Sequence, residues 1–180
     1  MSGETTSCKA PILVLGLGNE LLKDDAVGIR VAEKLQGTFP REVEVRWTSE
    51  FGLALLDELS GYDRVLVIDS YLPESESAPA FQERGLDSLG RANAPCPHFV
   101  GLGEIREAMR RLELDFPCEV RILAVRVCDS TTFSSEMSPQ VAARVTGAAE
   151  RACRIIRRWL AESTTRKGKQ RTPTGESTGA

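Results

Sequence analysis

The chain has 180 residues, the size of one domain that can bury a core without disulfide or metal staples. Its net charge of −3 speaks against a nucleic-acid binder, and no stretch approaches the ~20 consecutive apolar residues of a membrane-spanning helix. Five cysteines, an odd number with no C-x-x-C pair, exclude a disulfide framework and a zinc ribbon.

Residues 1–10 read as a flexible leader, polar where a secretion signal needs an apolar core, so the expected location is the cytoplasm. Ile12 to Leu17 is a near-continuous apolar run closed by glycine, as in a central strand buried on both faces. Ala26 to Leu35 reads as a helix, with Val27, Val31 and Leu35 on one face. Val43 to Trp47 alternates like a strand, and Gly52 to Leu59 reads as a short helix. Arg64 to Asp69 is a second buried strand that stops in a carboxylate.

Residues 71–98 are rich in Pro, Ser, Glu and Asn, and only Ala80 to Arg84 suits a strand there, at an antiparallel edge. Leu102, Ile105, Met109 and Leu112 fall at helical spacing, and Val120 to Val127 reads as a strand. Ser138-Pro139 then supplies a helix N-cap and a first-turn proline. Val141, Val145, Ala148, Ala152, Ile155 and Trp159 follow as one apolar stripe. Cys118 and Cys153 read as small buried hydrophobes. Residues 162–180 carry two more positive than negative charges and read as a disordered basic tail, which leaves residues 11–161 as the folded domain with a charge of −5. This alternation predicts a three-layer α/β/α fold with a mostly parallel, twisted sheet of about five strands.

In such sheets ligands gather outside the carboxyl ends of the strands. That rule selects the loop from Gly16 to Asp25, then Asp69-Ser70, and then the segment carrying His98, the one histidine of the chain. Two carboxylates and an imidazole form an N/O ligand set suited to Zn, Ni, Mn or Fe and leave open coordination positions. Each residue also has a purely structural reading. Asp25 stands where an N-cap would, Asp69 could accept loop amides, and a lone histidine is more often structural. A dinucleotide site at Gly16-x-Gly18 is disfavoured, because position 21 is Leu and Asp24-Asp25 would face a pyrophosphate. No G-x-S-x-G elbow is present, and Pro97 between Cys96 and His98 disfavours a Cys-His pair.

The segment Gly16-Leu-Gly-Asn-Glu-Leu-Leu-Lys-Asp-Asp-Ala-Val-Gly28 resembles the opening motif of the hydrogenase maturation endopeptidases, G-x-G-N-x-L-x-x-D-[DE]-[GA]-x-G, at every fixed position. Asp63 to Asp69, Pro97-His98 with Val100-Gly-Leu, and Ser138-Pro-Gln-Val141 resemble later segments of the family in the same order. The resemblance spans about residues 11–161. It implies an enzyme that removes the C-terminal peptide of the large-subunit precursor of a nickel-iron hydrogenase after nickel insertion. Asp25, Asp69 and His98 would be its catalytic and metal-contacting residues, and Gly18 and Asn19 would contact substrate. Nickel would arrive with the precursor, with zinc, cadmium or another divalent ion able to substitute in vitro. The implied partner is that precursor, met by a monomer with no nucleic acid or membrane involved. The alternative is a non-catalytic, metal-dependent chaperone or docking module for hydrogenase assembly. Two stretches depart from the family's pattern: Thr48 to Gly52 lacks its Asp-Gly-Gly turn, and Cys128 to Met137 lacks its Pro-rich run.

Overall fold

A computed structural model describes residues 11–86 and 102–169. Five strands, β1 (Ile12–Leu17), β2 (Val43–Thr48), β3 (Arg64–Tyr71), β4 (Phe81–Gly85) and β5 (Glu119–Arg126), form one sheet in the order β2-β1-β3-β5-β4. The first four in that order are parallel, and β4 runs antiparallel along β5 at the edge. The predicted fold class is therefore the observed one.

β1 and β3 are buried along their whole length because helices cover both faces. One layer holds α1 (Val27–Leu35) and α4 (Pro139–Lys169), whose Val27, Val31, Leu35, Val141, Ala148, Ala152 and Trp159 pack on Ile12, Val14, Leu66 and Ile68. The other holds α2 (Leu55–Leu59) and α3 (Leu102–Arg111), whose Leu55, Leu59, Ile105 and Met109 pack on Leu13, Leu15, Val65 and Val67. Successive strand residues thus serve opposite layers, as the pleat requires. No helix among the described residues is long and apolar enough to cross a membrane.

Several boundaries differ from the sequence expectation. The helix expected from Ala26 begins instead with a 3-10 turn, Lys23–Ala26, and the one expected from Gly52 begins with a 3-10 turn over Gly52–Ala54. β3 does not stop at Asp69. It runs on to Tyr71 because Ser70 and Tyr71 still pair with Val125 and Arg126 of β5. At its other end, α4 continues past residue 161 to Lys169, inside the stretch read as a disordered tail. Glu162 there pairs with the buried Arg64 at 2.9 Å, and adding residues to a helix already formed costs far less than starting one. The leader and residues 170–180 lie outside the described residues.

Cys118 is exposed rather than buried, its thiol donating to the carbonyl of Asp63 at 3.0 Å, while Cys153 is half-buried against the core.

Candidate active site

Strand order fixes where a crevice opens. From β1 the chain moves to β2 on one side, then crosses back to β3 on the other, so the connections part between β1 and β3. Such a switch point leaves a gap outside the carboxyl ends of the two strands. β1 pairs with β3 only as far as Gly16 opposite Ile68, whereas β3 stays paired with β5 through Tyr71. Asp69 and Ser70 therefore stand just past the last β1 pairing, flanked by a neighbour on one side only. Both are buried.

Alternation along β3 sends the two side chains to opposite layers. Ser70 follows Leu66 and Ile68 toward α1, and Asp69 follows Val65 and Val67 toward α2 and α3. The Ser70 hydroxyl donates to Oδ1 of Asp25 at 2.7 Å, and its backbone N–H donates to Oδ1 of Asp69 at 2.7 Å. One serine thus touches both predicted acids, which lie 44 positions apart in the chain.

Asp25 reaches Ser70 because the loop after β1 folds tightly over the strand ends. Three glycines permit this. A Cβ on Gly16 or Gly28 would strike backbone, Gly28 O in the first case and both Leu17 O and Ile68 O in the second; one on Gly18, at φ +153°, would strike Asp25 O. The start of α1 consequently rests directly on the β1 and β3 backbones, an approach no larger residue allows. Within the loop, Asn19 accepts the N–H of Leu21 on its side-chain oxygen at 3.0 Å and that of Leu22 on its carbonyl at 3.0 Å. Its own N–H donates to Oδ2 of Asp25 at 2.9 Å. Gly18 and Asn19, predicted to touch substrate, thus shape the loop that holds Asp25.

Asp25 is not the cap of α1. The N-cap position falls to Ala26, with no side-chain cap, and both Asp25 oxygens face the Ser70 and Asn19 donors instead. The structural carboxylate is its neighbour, Asp24, whose role the sequence reading missed. Fully buried, Asp24 accepts Ser138 N–H at 2.7 Å on Oδ1, and on Oδ2 the Ser138 hydroxyl at 3.0 Å, Asp129 N–H at 3.2 Å and Cys128 N–H at 3.3 Å. It clamps the first loop to the segment between β5 and α4. The signal was present in the sequence: an acid in one loop and a serine before the last helix. Nothing local joins them across 114 positions.

Asp129 reinforces the clamp. Hydrogen bonds from the Thr132 hydroxyl first, then from the Thr131 and Thr132 N–H groups, with Lys23, hold its carboxyl well below the usual range. Lys23 Nζ lies 3.3 Å from Asp129 Oδ2, and Lys23 itself takes a positive φ of 22° at the turn. That conformation is rare for a residue with a Cβ, and it occurs beside the two acids.

His98 lies outside the described residues. Asp25 and Asp69 each contact Ser70, one at its hydroxyl and the other at its N–H, and among the described residues no group of three or more His, Cys, Asp or Glu side chains is placed to hold a metal. A cavity of about 290 Å³ opens at the opposite, amino edge of the sheet, lined by Glu83, Arg84, Phe116 and Arg121 among others. It is remote from the acids, at the end where α/β sheets do not ordinarily bind ligands.

No family model matches the chain. It is similar to the hydrogenase 2 maturation protease of Escherichia coli strain K12, 28% identical over 152 residues, which are 81% of this chain and 90% of that protein. The hydrogenase expression/formation protein HupD of Thiocapsa roseopersicina is 27% identical over 157 residues, 81% of this chain and 67% of that one. Among solved structures, the hydrogenase maturating endopeptidase HybD of E. coli superposes with a TM-score of 0.67 at 28% identity, over 82% of this chain and 92% of that chain. The nickel-iron hydrogenase maturation protease HybD of Thermococcus kodakarensis shares the fold with a TM-score of 0.60 at 24% identity, over 80% of this chain and 97% of that one. Fold, motif and these likenesses, each over most of both chains, agree: the chain belongs to the hydrogenase maturation endopeptidase family and is a hydrolase of peptide bonds.

Proposed function

We propose that the chain removes the C-terminal peptide from the large-subunit precursor of a nickel-iron hydrogenase once nickel has been inserted, and that Asp25, Asp69 and His98 recognise the metal. The observation that carries this reading is that Asp25 and Asp69 both accept hydrogen bonds from Ser70 at the switch point, from its hydroxyl and its N–H respectively, each at 2.7 Å. The names of the similar proteins, maturation proteases and endopeptidases, support it. α3, which begins shortly after His98 in the chain, packs against α2 and the Gly52–Ala54 turn on the face that Asp69 serves.

Nickel enters as part of the substrate, held by the precursor. Ser70 and Asn19 fix Asp25 in one orientation, with lone pairs remaining on both oxygens for a cation. Such preorganisation avoids the entropy of arranging a ligand when the substrate arrives. A cation that recruits both carboxylates would add an attraction that a precursor without metal lacks. Binding would then depend on nickel, and cleavage would await insertion. Hydrolysis of the scissile bond would use one of these carboxylates as the general base that takes a proton from the attacking water, or the substrate's metal as the Lewis acid for the carbonyl or the water.

The test is to incubate the protein with nickel-loaded and nickel-free precursor and follow the precursor's mass. Loss of a C-terminal peptide from the loaded form alone is expected. Tight, metal-dependent association with no change of mass would instead make the protein a docking module.

A further inference from the structure

Strand register sets a further polar side chain level with Asp69. Asp69 of β3 pairs with Ala124 of β5, and Ala124 pairs in turn with Gln82 of β4. Residues paired across a sheet share a face, so this row stands on the side of α2 and α3, where Ala124 joins the cluster of Ile105 and Met109. The next residue along β4 bears out the alternation: Glu83 faces the other layer and lies 3.7 Å from Arg151 of α4. Two strand spacings put the Asp69 and Gln82 backbones about 10 Å apart, with the methyl group of Ala124 between them in the row.

Gln82 does little to hold its own strand. β4 is fixed from the opposite face, where the Phe81 ring lies 4.6 Å beneath the Arg151 guanidinium and would meet a Cβ on Gly147 at 3.2 Å. The Oε1 of Gln82 is buried, yet it has no hydrogen-bond partner among the described residues. Such an oxygen opposes folding, and an apolar side chain of the same shape would pack there without that penalty. Asp69 and Ala124 are fully buried whereas Gln82 is half-buried, and β4 is the edge strand of the sheet. The row is therefore reached most readily at its Gln82 end. A carboxamide matches the peptide group, which carries the N–H that Oε1 lacks, and three extended residues span the same 10 Å or so as the row.

We propose that Gln82 is a substrate-binding residue: its Oε1 accepts a main-chain N–H of the substrate polypeptide, about three residues from the bond cleaved beside Asp69. The inference rests on the peptidase reading above and adds to it a contact with protein rather than metal. Because it reads the main chain, it makes no demand on the substrate side chain at that position. A water held on Oε1 would instead make Gln82 a structural residue, and the two roles move different measurements.

Steady-state cleavage of nickel-loaded precursor tests the contact in the full-length protein carrying Gln82→Met or Gln82→Leu. Either change is expected to raise KM about tenfold with kcat within about twofold, since the lost hydrogen bond is uniform binding. The thermal midpoint should stay at or above that of the wild type, because an unmade buried acceptor has been removed. Glu83→Gln, on the opposite face of the same strand, is expected to leave KM unchanged. An unchanged KM in both Gln82 variants overturns the proposal, and a lowered midpoint with it identifies the water-held, structural residue. Calorimetric titration of the same precursor keeps the two readings apart. If the wild type binds it without cutting, the peptidase reading fails, and about tenfold weaker binding by Gln82→Met still sustains the contact. Equal binding by wild type and Gln82→Met removes it.

Discussion

Asp24 and Asp25 are neighbours in sequence with opposite tasks, and substituting each in turn separates them. In Asp24→Asn the amide oxygen can still accept Ser138 N–H, the shortest of the four bonds at 2.7 Å. The new NH2 group then faces the N–H donors of Asp129 and Cys128, at 3.2 and 3.3 Å, and neither can turn away. The Ser138 hydroxyl can rotate to accept. Two backbone donors are therefore left without an acceptor, and a buried unsatisfied donor costs about 1–3 kcal/mol. These groups are part-buried, which places the total at about 3 kcal/mol. With a urea slope of about 2 kcal/mol per molar, the unfolding midpoint falls by about 1.5 M at unchanged slope. Asp25→Asn loses far less, because the Ser70 hydroxyl can rotate to donate elsewhere, and its midpoint should stay within about 0.5 M of wild type. Equilibrium urea denaturation followed by circular dichroism reads both. Equal midpoints for the two variants would show that the Asp24 clamp does not hold the loops, and the separation of roles would be wrong.

Asp25→Ala, Asp69→Ala and His98→Ala are each expected to leave the fold intact and abolish processing of nickel-loaded precursor. Normal cleavage by the His98→Ala protein, seen by mass spectrometry, would remove the imidazole from the scheme. Gly28→Ala drives a methyl group into the Leu17 and Ile68 carbonyls, both backbone, and should lower stability by about 1–3 kcal/mol or more, read as a fall in the thermal midpoint. Ser70→Ala removes the hydroxyl that fixes Asp25, so cleavage should slow about tenfold with the melting profile little changed, and Ser70→Thr should recover part of the rate. Asp129 has a folded-state pKa depressed below its ordinary 3.8, so its contribution to stability is present above that value and lost as pH falls through the lower folded one. The stability difference between wild type and Asp129→Asn should hold constant above about pH 5 and shrink below about 4, measured by urea titration at each pH.

Much of this molecule is decided by local pattern. The apolar runs at Ile12 and Arg64 read as strands covered on both faces, and the stripe from Val141 to Trp159 reads as a helix lying on a core; those periodicities follow from the geometry of single elements. Together with the short connections they predict the layers and a mostly parallel sheet with an antiparallel edge, and the rule for parallel sheets then indicates Asp25 and Asp69, while the strand order comes from the structure. Local pattern could not decide which acid does what. Asp24 and Asp25 look alike in sequence, and the N-cap reading of Asp25 was reasonable. What separates them is contact with Ser138 and with Ser70, 114 and 45 positions away. Nor could periodicity reveal that β3 passes Asp69, since that depends on how far β5 pairs beside it, or that α4 runs on beyond residue 161, supported by a pair with Arg64. Sequence alone supplies the donors and acceptors. Only the folded chain assigns each its partner, because hydrogen bonds act over about 3 Å in space and are indifferent to separation along the chain.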